Sequence, residues 1–322
     1  MQIDEIFEAD KRLKKKKRTT PLLNSPFLDE IADKQIFIKA ECLQHTGSFK
    51  FRGAYSAISS IPIEKRRKGV IAYSSGNHAQ GVAFAAKIHK IPATIVMPED
   101  APEIKINNTK DLGAEVILYD RLSESREQIG KKISQEKFFS LIPPYDHNDV
   151  IAGQGTIGLE IASQAEQIGI GKADVLVCCG GGGLTSGIAV ALSNLMPDFV
   201  TRPVEPEGFD DVVRSLEIGE RQTNEKIIGG LCDAIITPTP GKLTFPLMKK
   251  YCGGGIVVTD QQVMKAIALA FTRLRIVIEP GGAVALAAAL FHSKKCENET
   301  IIAVVSGGNI DPDIFKKALE TI

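Results

Sequence analysis

Strand-length apolar runs alternate with amphipathic stretches along nearly the whole chain, and this alternation leaves few folds open. The runs cover residues 35–40, 70–73, 93–97, 115–118, 175–178, 255–258 and 301–305. Between them, apolar side chains recur at helical spacing over residues 79–89, 104–112, 122–135, 155–167, 184–195, 260–275 and 283–292. Strands that alternate with helices pair in parallel, and the helices cover both faces of the sheet, so the pattern predicts an α/β protein of open twisted sheets. A length of 322 residues suits one large domain or two modest ones, and no low-complexity segment divides the chain.

Several function classes are excluded early. Lys plus Arg and Asp plus Glu both total 39, so no net field recruits nucleic acid or an anionic membrane. The one basic run, between Lys11 and Arg18, reads as a solvated helix end, with an interaction arm as the alternative. No apolar stretch reaches the roughly 20 residues of a membrane span, and the charged start lacks the apolar core of a signal peptide. The cysteines Cys42, Cys178, Cys179, Cys232, Cys252 and Cys296 show neither metal-ligand spacing nor the density of a secreted framework. Cys178 and Cys179 end an apolar run, as buried thiols do. The expected setting is the cytoplasm.

Sheets of this class bind ligands where strands end and loops lead into helices. Three glycine-bearing segments fall at such junctions: Ser74-Ser75-Gly76-Asn77-His78, Gly180-Gly181-Gly182-Gly183-Leu184 and Ser306-Gly307-Gly308-Asn309. Four consecutive glycines lose much backbone entropy on folding. They let backbone amides converge on an anion, and a following helix adds its positive end. The loop lacks the Lys-Ser/Thr ending of a nucleotide loop and the spacing of a dinucleotide fingerprint, so it fits one phosphate group; tight strand–helix packing is the plainer alternative. Ser75 is either an N-cap or part of a carboxylate-binding turn. Ser306 either closes a turn or offers a hydroxyl to a ligand at the sheet's end.

Lys50 lies between Phe49 and Phe51 in Gly47-Ser48-Phe49-Lys50-Phe51-Arg52-Gly53-Ala54. Most lysines are solvated, whereas one in apolar company has a lowered pKa and becomes a usable nucleophile. In Glu279-Pro280-Gly281-Gly282, helix-start design accounts for the Pro and Gly but not for Glu279. Glu205, Glu207, Asp210 and Asp211 cluster around Phe209 and read either as an exposed acidic turn or as oxygen ligands for a hard cation.

In this order and spacing the motifs, with Thr20-Pro21-Leu22 and Ile151-Ala152-Gly153-Gln154-Gly155-Thr156, resemble those of the fold-type II pyridoxal phosphate enzymes, specifically the serine/threonine dehydratase and serine racemase group. The resemblance runs from about Thr19 to Asp311. It implies the tryptophan synthase β-like architecture, two open twisted-sheet α/β domains with pyridoxal 5'-phosphate in the cleft between them. Residues 1–67 and 146–322 would form the large domain and 68–145 a small mobile domain inserted in it. It further implies that Lys50 carries the cofactor and shuttles the α proton, flanked by Phe49. Gly180, Gly181, Gly182, Gly183 and Leu184 would hold the phosphate, Asn77 the ring hydroxyl, and Ser306 the pyridine nitrogen, with Glu279 also at the cofactor. Ser74, Ser75, Gly76, Asn77 and His78 would receive the substrate carboxylate, and Arg126 would approach the substrate. Glu205, Asp211 and the Phe209 carbonyl match a site for Mg2+ or another divalent cation.

The activity implied is an ammonia-lyase (EC 4.3.1) converting L-threonine or L-serine to a 2-oxo acid and ammonia. Ser75 keeps serine racemase activity open, because a hydroxyl opposite Lys50 makes a two-base pair. A 3-hydroxyaspartate dehydratase is open too, although no cationic partner for its β-carboxylate is readable. A β-replacement synthase or a nucleotide-binding oxidoreductase lacks its motifs here. A non-catalytic cofactor- or phosphate-binding protein would leave Lys50 idle. Group members usually form homodimers or homotetramers. Two departures stand out. His45 occupies a place where Arg or Lys is commoner, and Thr201-Arg202-Pro203-Val204 replaces an apolar strand before Glu205. The chain's end soon after Asp311 predicts no isoleucine-responsive regulatory extension.

Overall fold

The computed structural model describes residues 1–322 except Pro102, Arg121, Ile227 and Ile228. In chain order the first elements are α1 (Ile3–Leu13), β1 (Leu22–Asn24), α2 (Pro26–Ala32), β2 (Gln35–Ala40), α3 (Lys50–Ser60) and α4 (Ile63–Arg66). There follow β3 (Val70–Tyr73), α5 (Asn77–His89), β4 (Ala93–Pro98), α6 (Glu103–Asp111), β5 (Glu115–Tyr119), α7 (Arg126–Lys137) and β6 (Ser140–Leu141). The chain continues through α8 (Asn148–Gln167), β7 (Ala173–Cys178), α9 (Gly183–Leu195), β8 (Phe199–Pro206), α10 (Asp211–Ile218) and α11 (Thr244–Tyr251). It ends with β9 (Ile256–Val258), α12 (Asp260–Leu269), α13 (Pro280–Phe291), β10 (Thr300–Val305) and α14 (Pro312–Leu319).

Among the described residues the strands form two sheets. One has six strands in the order β1-β2-β10-β7-β8-β9, and the other has four in the order β5-β4-β3-β6. All pairings are parallel except β1 with β2. Parallel strands buried on both faces read as continuous apolar runs, which is why β7, β10 and β4 are legible in the sequence. One face of the larger sheet packs on α12 and α13 through Leu176, Ile267, Val284 and Ile301, and the other on α8 and α9 through Ile161, Val175, Ile188 and Ile302. Helix α3 joins the core of the smaller sheet, where Phe51 and Ile58 meet Val70, Val82 and Ile95. Lys50 therefore starts a helix that belongs structurally to both halves. Among the described residues no helix is long and apolar enough to cross a membrane.

The structure corrects some sequence expectations. Strand β8 forms although Arg202 is in it, because the buried guanidinium is neutralised by Asp174 on the neighbouring strand and by Glu297. Helix α7 begins at Arg126 rather than at residue 122, since Ser125 caps it by accepting the Gln128 amide over 3.3 Å. Helix α8 starts seven residues before the expected 155, its buried face running on through Gly153. The expected helix over 260–275 is α-helical only to Leu269 and continues as a π-helical turn over Ala270–Leu274. In the basic run, Lys14, Lys15 and Lys16 are exposed just past α1, while Arg12 pairs with Asp149 and Lys17 with Asp10 and Glu160.

Candidate active site

Lys50 is placed by the backbone before it. Thr46 and Gly47 take left-handed conformations, with φ of 58° and 71°, and reverse the chain after β2. The Phe49 amide then bonds the Ser306 carbonyl at 3.0 Å, fixing the start of α3 to the end of β10. The Lys50 ammonium donates to the Pro144 carbonyl at 3.0 Å and lies 5.1 Å from the centre of the Phe49 ring. Burial lowers its pKa to about 8, with Glu279 opposing the shift. A lysine of that kind is a usable nucleophile and base near neutrality.

The amine faces a cavity of about 260 Å³ between the two sheets. Its floor is the glycine loop between β7 and α9. A Cβ on Gly180 would collide with the Ile235 carbonyl, and one on Gly181 or Gly183 with Tyr145, while Gly182 has a φ of 87°. Thr244 Oγ1 donates to the Gly181 carbonyl at 2.6 Å, and the Gly241 amide donates to it at 3.2 Å. That carbonyl is thereby turned out of the loop. Leu184, on the first turn of α9, lines the same wall, and the first amides of α9 have no intrahelical acceptor. Together these features fit a single phosphate group.

A second helix N-terminus enters from the smaller sheet. After β3, the Ser74 hydroxyl accepts the Gly76 amide at 3.2 Å and α5 begins at Asn77. Ser74, Ser75, Gly76 and Asn77 are all half-buried and line the cavity. His78 lines it too, but its ring is committed to the fold. Nε2 lies 2.8 Å from the Ile142 carbonyl, and burial, aided by the Lys50 charge, pushes the pKa down to about 3. The imidazole is thus neutral and donates from Nε2.

Glu279 is the N-cap residue of α13, and burial raises its carboxyl to about 7 against the hydrogen bond from Asn77. The Asn77 amide donates to Glu279 Oε1 at 2.6 Å and accepts from the Asn309 side chain at 2.6 Å. Ser306 is buried with its side chain beside the Cys178 thiol, and it is Cys178 that lines the cavity. Arg126 lies 5.4 Å over the Tyr73 ring, bonds Glu127 at 2.8 Å and lines the outer cavity.

The acidic cluster lies on β8 and α10. The Glu205 carboxylate accepts the Val212 and Val213 amides at 3.2 and 2.8 Å. Asp211 Oδ1 accepts from Asn224 at 2.6 Å, whereas Oδ2 is buried without a partner. Burial raises both carboxyls, Asp211 to about 7 and Glu205 well above its usual range, with the Asp211 charge adding to the shift of Glu205 and the Asp210 charge to that of Asp211. Two buried carboxylates with an unsatisfied oxygen suit a hard cation, although no group of three His, Cys, Asp or Glu side chains is gathered there among the described residues. The Phe209 side chain is buried beside them.

Sequence reasoning missed several lining residues. Pro144 and Tyr145 follow β6, a strand too short to read, and Asp233 to Pro238 lie in a segment whose regular structure is a single 3-10 turn over Asp233–Ile235. Lys105, on α6, reaches Asp233 at 3.4 Å across the cavity mouth, a pairing with no local signal because it spans 128 residues. Asn309 belongs to a legible glycine motif, but nothing local to that motif announces its contact with the Asn77 amide.

The chain is similar along nearly its whole length to several proteins of this fold. L-threo-3-hydroxyaspartate ammonia-lyase of Saccharomyces cerevisiae is 41% identical over 310 residues, 95% of this chain and 93% of the relative. Serine racemase of Schizosaccharomyces pombe is 39% identical over 96% of this chain and 94% of its own length. The crystal structure of a threonine deaminase from T.th. superposes with a TM-score of 0.91 at 40% identity, covering 97% of this chain and 99% of that one. The family described as "Pyridoxal-phosphate dependent enzyme" matches residues 13–307, and the chain belongs to it.

Proposed function

We propose that this enzyme is an ammonia-lyase that removes the β-hydroxyl and the amino group of L-threonine or L-serine, giving a 2-oxo acid and ammonia. The observation that carries the reading is the half-buried Lys50, its amine in one cavity with two helix N-termini, those of α9 and α5. When bound, pyridoxal phosphate supplies an electron sink that makes the substrate's α proton removable and its β-substituent expellable. Gly180 to Gly183 and the start of α9 hold its phosphate, Lys50 Nζ is its attachment point, and Asn77 offers an N–H to the ring hydroxyl. Ser306 would be the partner for the ring nitrogen, although here it lies beside Cys178 rather than in the cavity lining.

The backbone amides from Ser75 to His78 take the substrate carboxylate at the positive end of α5. Lys50 Nζ, with its pKa near 8, accepts the proton from the α carbon. Ser75 brings a hydroxyl into the same cavity, and proton delivery from it to the opposite face would add racemisation. Residues 68–145, which carry the smaller sheet, act as the mobile domain whose closure excludes water. A divalent cation held by Glu205 and Asp211 would neutralise the mutually repelling carboxylates. Exposed Phe27, Ile31 and Val277 supply apolar surface for assembly into a homodimer or homotetramer.

A second reading has its own support. Lys105 and Arg126 place two cations at the cavity mouth, where the β-carboxylate of 3-hydroxyaspartate would find charge-assisted donors. The test is a panel of L-serine, L-threonine, D-serine and the 3-hydroxyaspartates, assayed for 2-oxo acid release and for chirality of the remaining substrate. Pyridoxal phosphate should also give the purified chain a visible absorption band that Lys50→Ala abolishes. A colourless wild-type chain in the presence of the cofactor would sink the proposal.

A further inference from the structure

We propose that Asn309 is a positioning residue that fixes the orientation of the Asn77 amide, so that Asn77 can present only an N–H to the cavity. The inference rests on reading Asn77 as the partner of the cofactor's ring hydroxyl. Its basis is the set of hydrogen bonds made by the donors of two side-chain amides and by the Asn77 carbonyl.

A carboxamide has two N–H donors and one carbonyl acceptor. Asn309 Nδ2 donates to the Thr46 carbonyl at 2.8 Å and to Asn77 Oδ1 at 2.6 Å, so both its donors are used. Asn77 spends its acceptor on Asn309 and one donor on Glu279 Oε1 at 2.6 Å. One Asn77 N–H is left, on a residue that lines the cavity. If the Asn77 amide turned over, Nδ2 would meet the Asn309 donor and Oδ1 the Glu279 carboxylate. With Glu279 ionised, above about pH 7, both contacts would be lost together.

The local backbone is built around the Asn309 side chain. Thr46 and Gly47 are both left-handed, and a Cβ at Gly47 would lie 2.7 Å from Asn309 Oδ1. The Gly308 amide donates to the Gly47 carbonyl at 2.9 Å, and the Phe49 amide donates to the Ser306 carbonyl at 3.0 Å. The turn before Lys50 is thereby stitched to the turn after β10, and Asn309 extends the stitch to α5 of the smaller sheet. A single amide ties the attachment lysine's loop to the residue facing the ring hydroxyl.

The experiment titrates cofactor-stripped protein with pyridoxal phosphate, following visible absorbance and the pH midpoint of the band, alongside melts of the cofactor-free chain. The chains compared are wild type, Asn309→Ala, Asn309→Asp, Asn77→Ala and the double variant Asn77→Ala/Asn309→Ala. Asn309→Asp keeps the shape and replaces the donor by an acceptor. Each Asn309 variant should raise the cofactor's dissociation constant by about tenfold, the effect of one good hydrogen bond, and shift the pH midpoint, with little change in Tm. In the Asn77→Ala background the further loss should be less than about twofold, because residues acting through one another are not additive. Additive losses, unchanged affinity and midpoint, or losses that follow Tm would overturn the proposal, and so would an Asn309→Asp chain that fails to fold. A wild-type chain that forms no visible band would overturn the cofactor-site reading instead.

Discussion

Asn77 and Glu279 meet between the two sheets, the amide of the first residue of α5 donating to the carboxylate at the start of α13 over 2.6 Å. The contact joins the two halves at the wall of the cavity. The hydrogen bond favours the ionised carboxylate, but burial outweighs it and raises the pKa from 4.5 to about 7.

The sign of the resulting pH dependence follows. Between about 4.5 and about 7 the folded chain keeps a proton on Glu279 that the unfolded chain has released. Stability of the cofactor-free protein should therefore fall as pH rises through that window and level off above it. Glu279→Gln removes the ionisation, so its melting temperature should decline less over that window and exceed that of wild type at pH 8. Thermal melts of both proteins at a series of pH values test this. Parallel curves would show that Glu279 does not titrate in this way.

The Glu205–Asp211 pair makes a separate prediction. Both carboxyls are raised, Asp211 to about 7, and a cation favours their ionised forms. Mg2+ or Mn2+ should raise Tm, more strongly at pH 8 than at pH 6, because metal and proton compete for the same oxygens. Chelator should reverse the gain, and Asp211→Asn should abolish it. Equal gains at both pH values, or gains surviving the substitution, would place the ion elsewhere.

Arg52, two residues after Lys50, supports the same helix from within. Its fully buried guanidinium bonds Glu41 at 2.7 and 2.8 Å and Glu160 at 2.8 and 3.0 Å. Lys39 also reaches Glu160, at 2.7 Å. Replacing Arg52 by Met leaves a buried carboxylate uncompensated, an effect of about 3–5 kcal/mol. Arg52→Lys keeps the charge and loses the forked geometry, so its loss should be smaller. Urea denaturation measures both. A neutral Arg52→Met would mean that the network contributes nothing net.

How much of this can be read in the sequence depends on how local each feature is. Strands β7 and β10 declare themselves as apolar runs, and the loops after them are marked by glycines, so the cavity floor is legible. Strand β8 is obscured because Arg202 interrupts it, and its partners Asp174 and Glu297 lie 28 and 95 residues away. The start of α3 carries Lys50, Arg52 and Gly53 and has no simple amphipathic pattern, since it packs on α5 and α8 at once. Asn309 and Asn77 are 232 residues apart. Motif spacing places each segment just after a strand, Asn77 after β3 of one sheet and Asn309 after β10 of the other. It cannot say that their amides touch.

The cations at the cavity mouth allow the choice of substrate to be tested by comparison. Lys105 pairs with Asp233 at 3.4 Å, with Asp233 largely exposed, so the pair is loose and Lys105 can turn toward an entering anion. If the β-substituent is a carboxylate, Lys105→Met removes one charge-assisted hydrogen bond, about 1.5–3 kcal/mol. KM for L-threo-3-hydroxyaspartate should then rise by about tenfold or more, with KM for L-serine changed less than about twofold. If Lys105 serves only to latch α6 to the Asp233 segment, both substrates should suffer alike, because closure is common to them. Asp233→Asn separates these cases. It weakens the latch while relieving the anion at the mouth, so an acidic substrate should gain where a neutral one loses. Steady-state kinetics on the four combinations of two variants and two substrates decide it, and equal losses throughout would end the acidic-substrate reading.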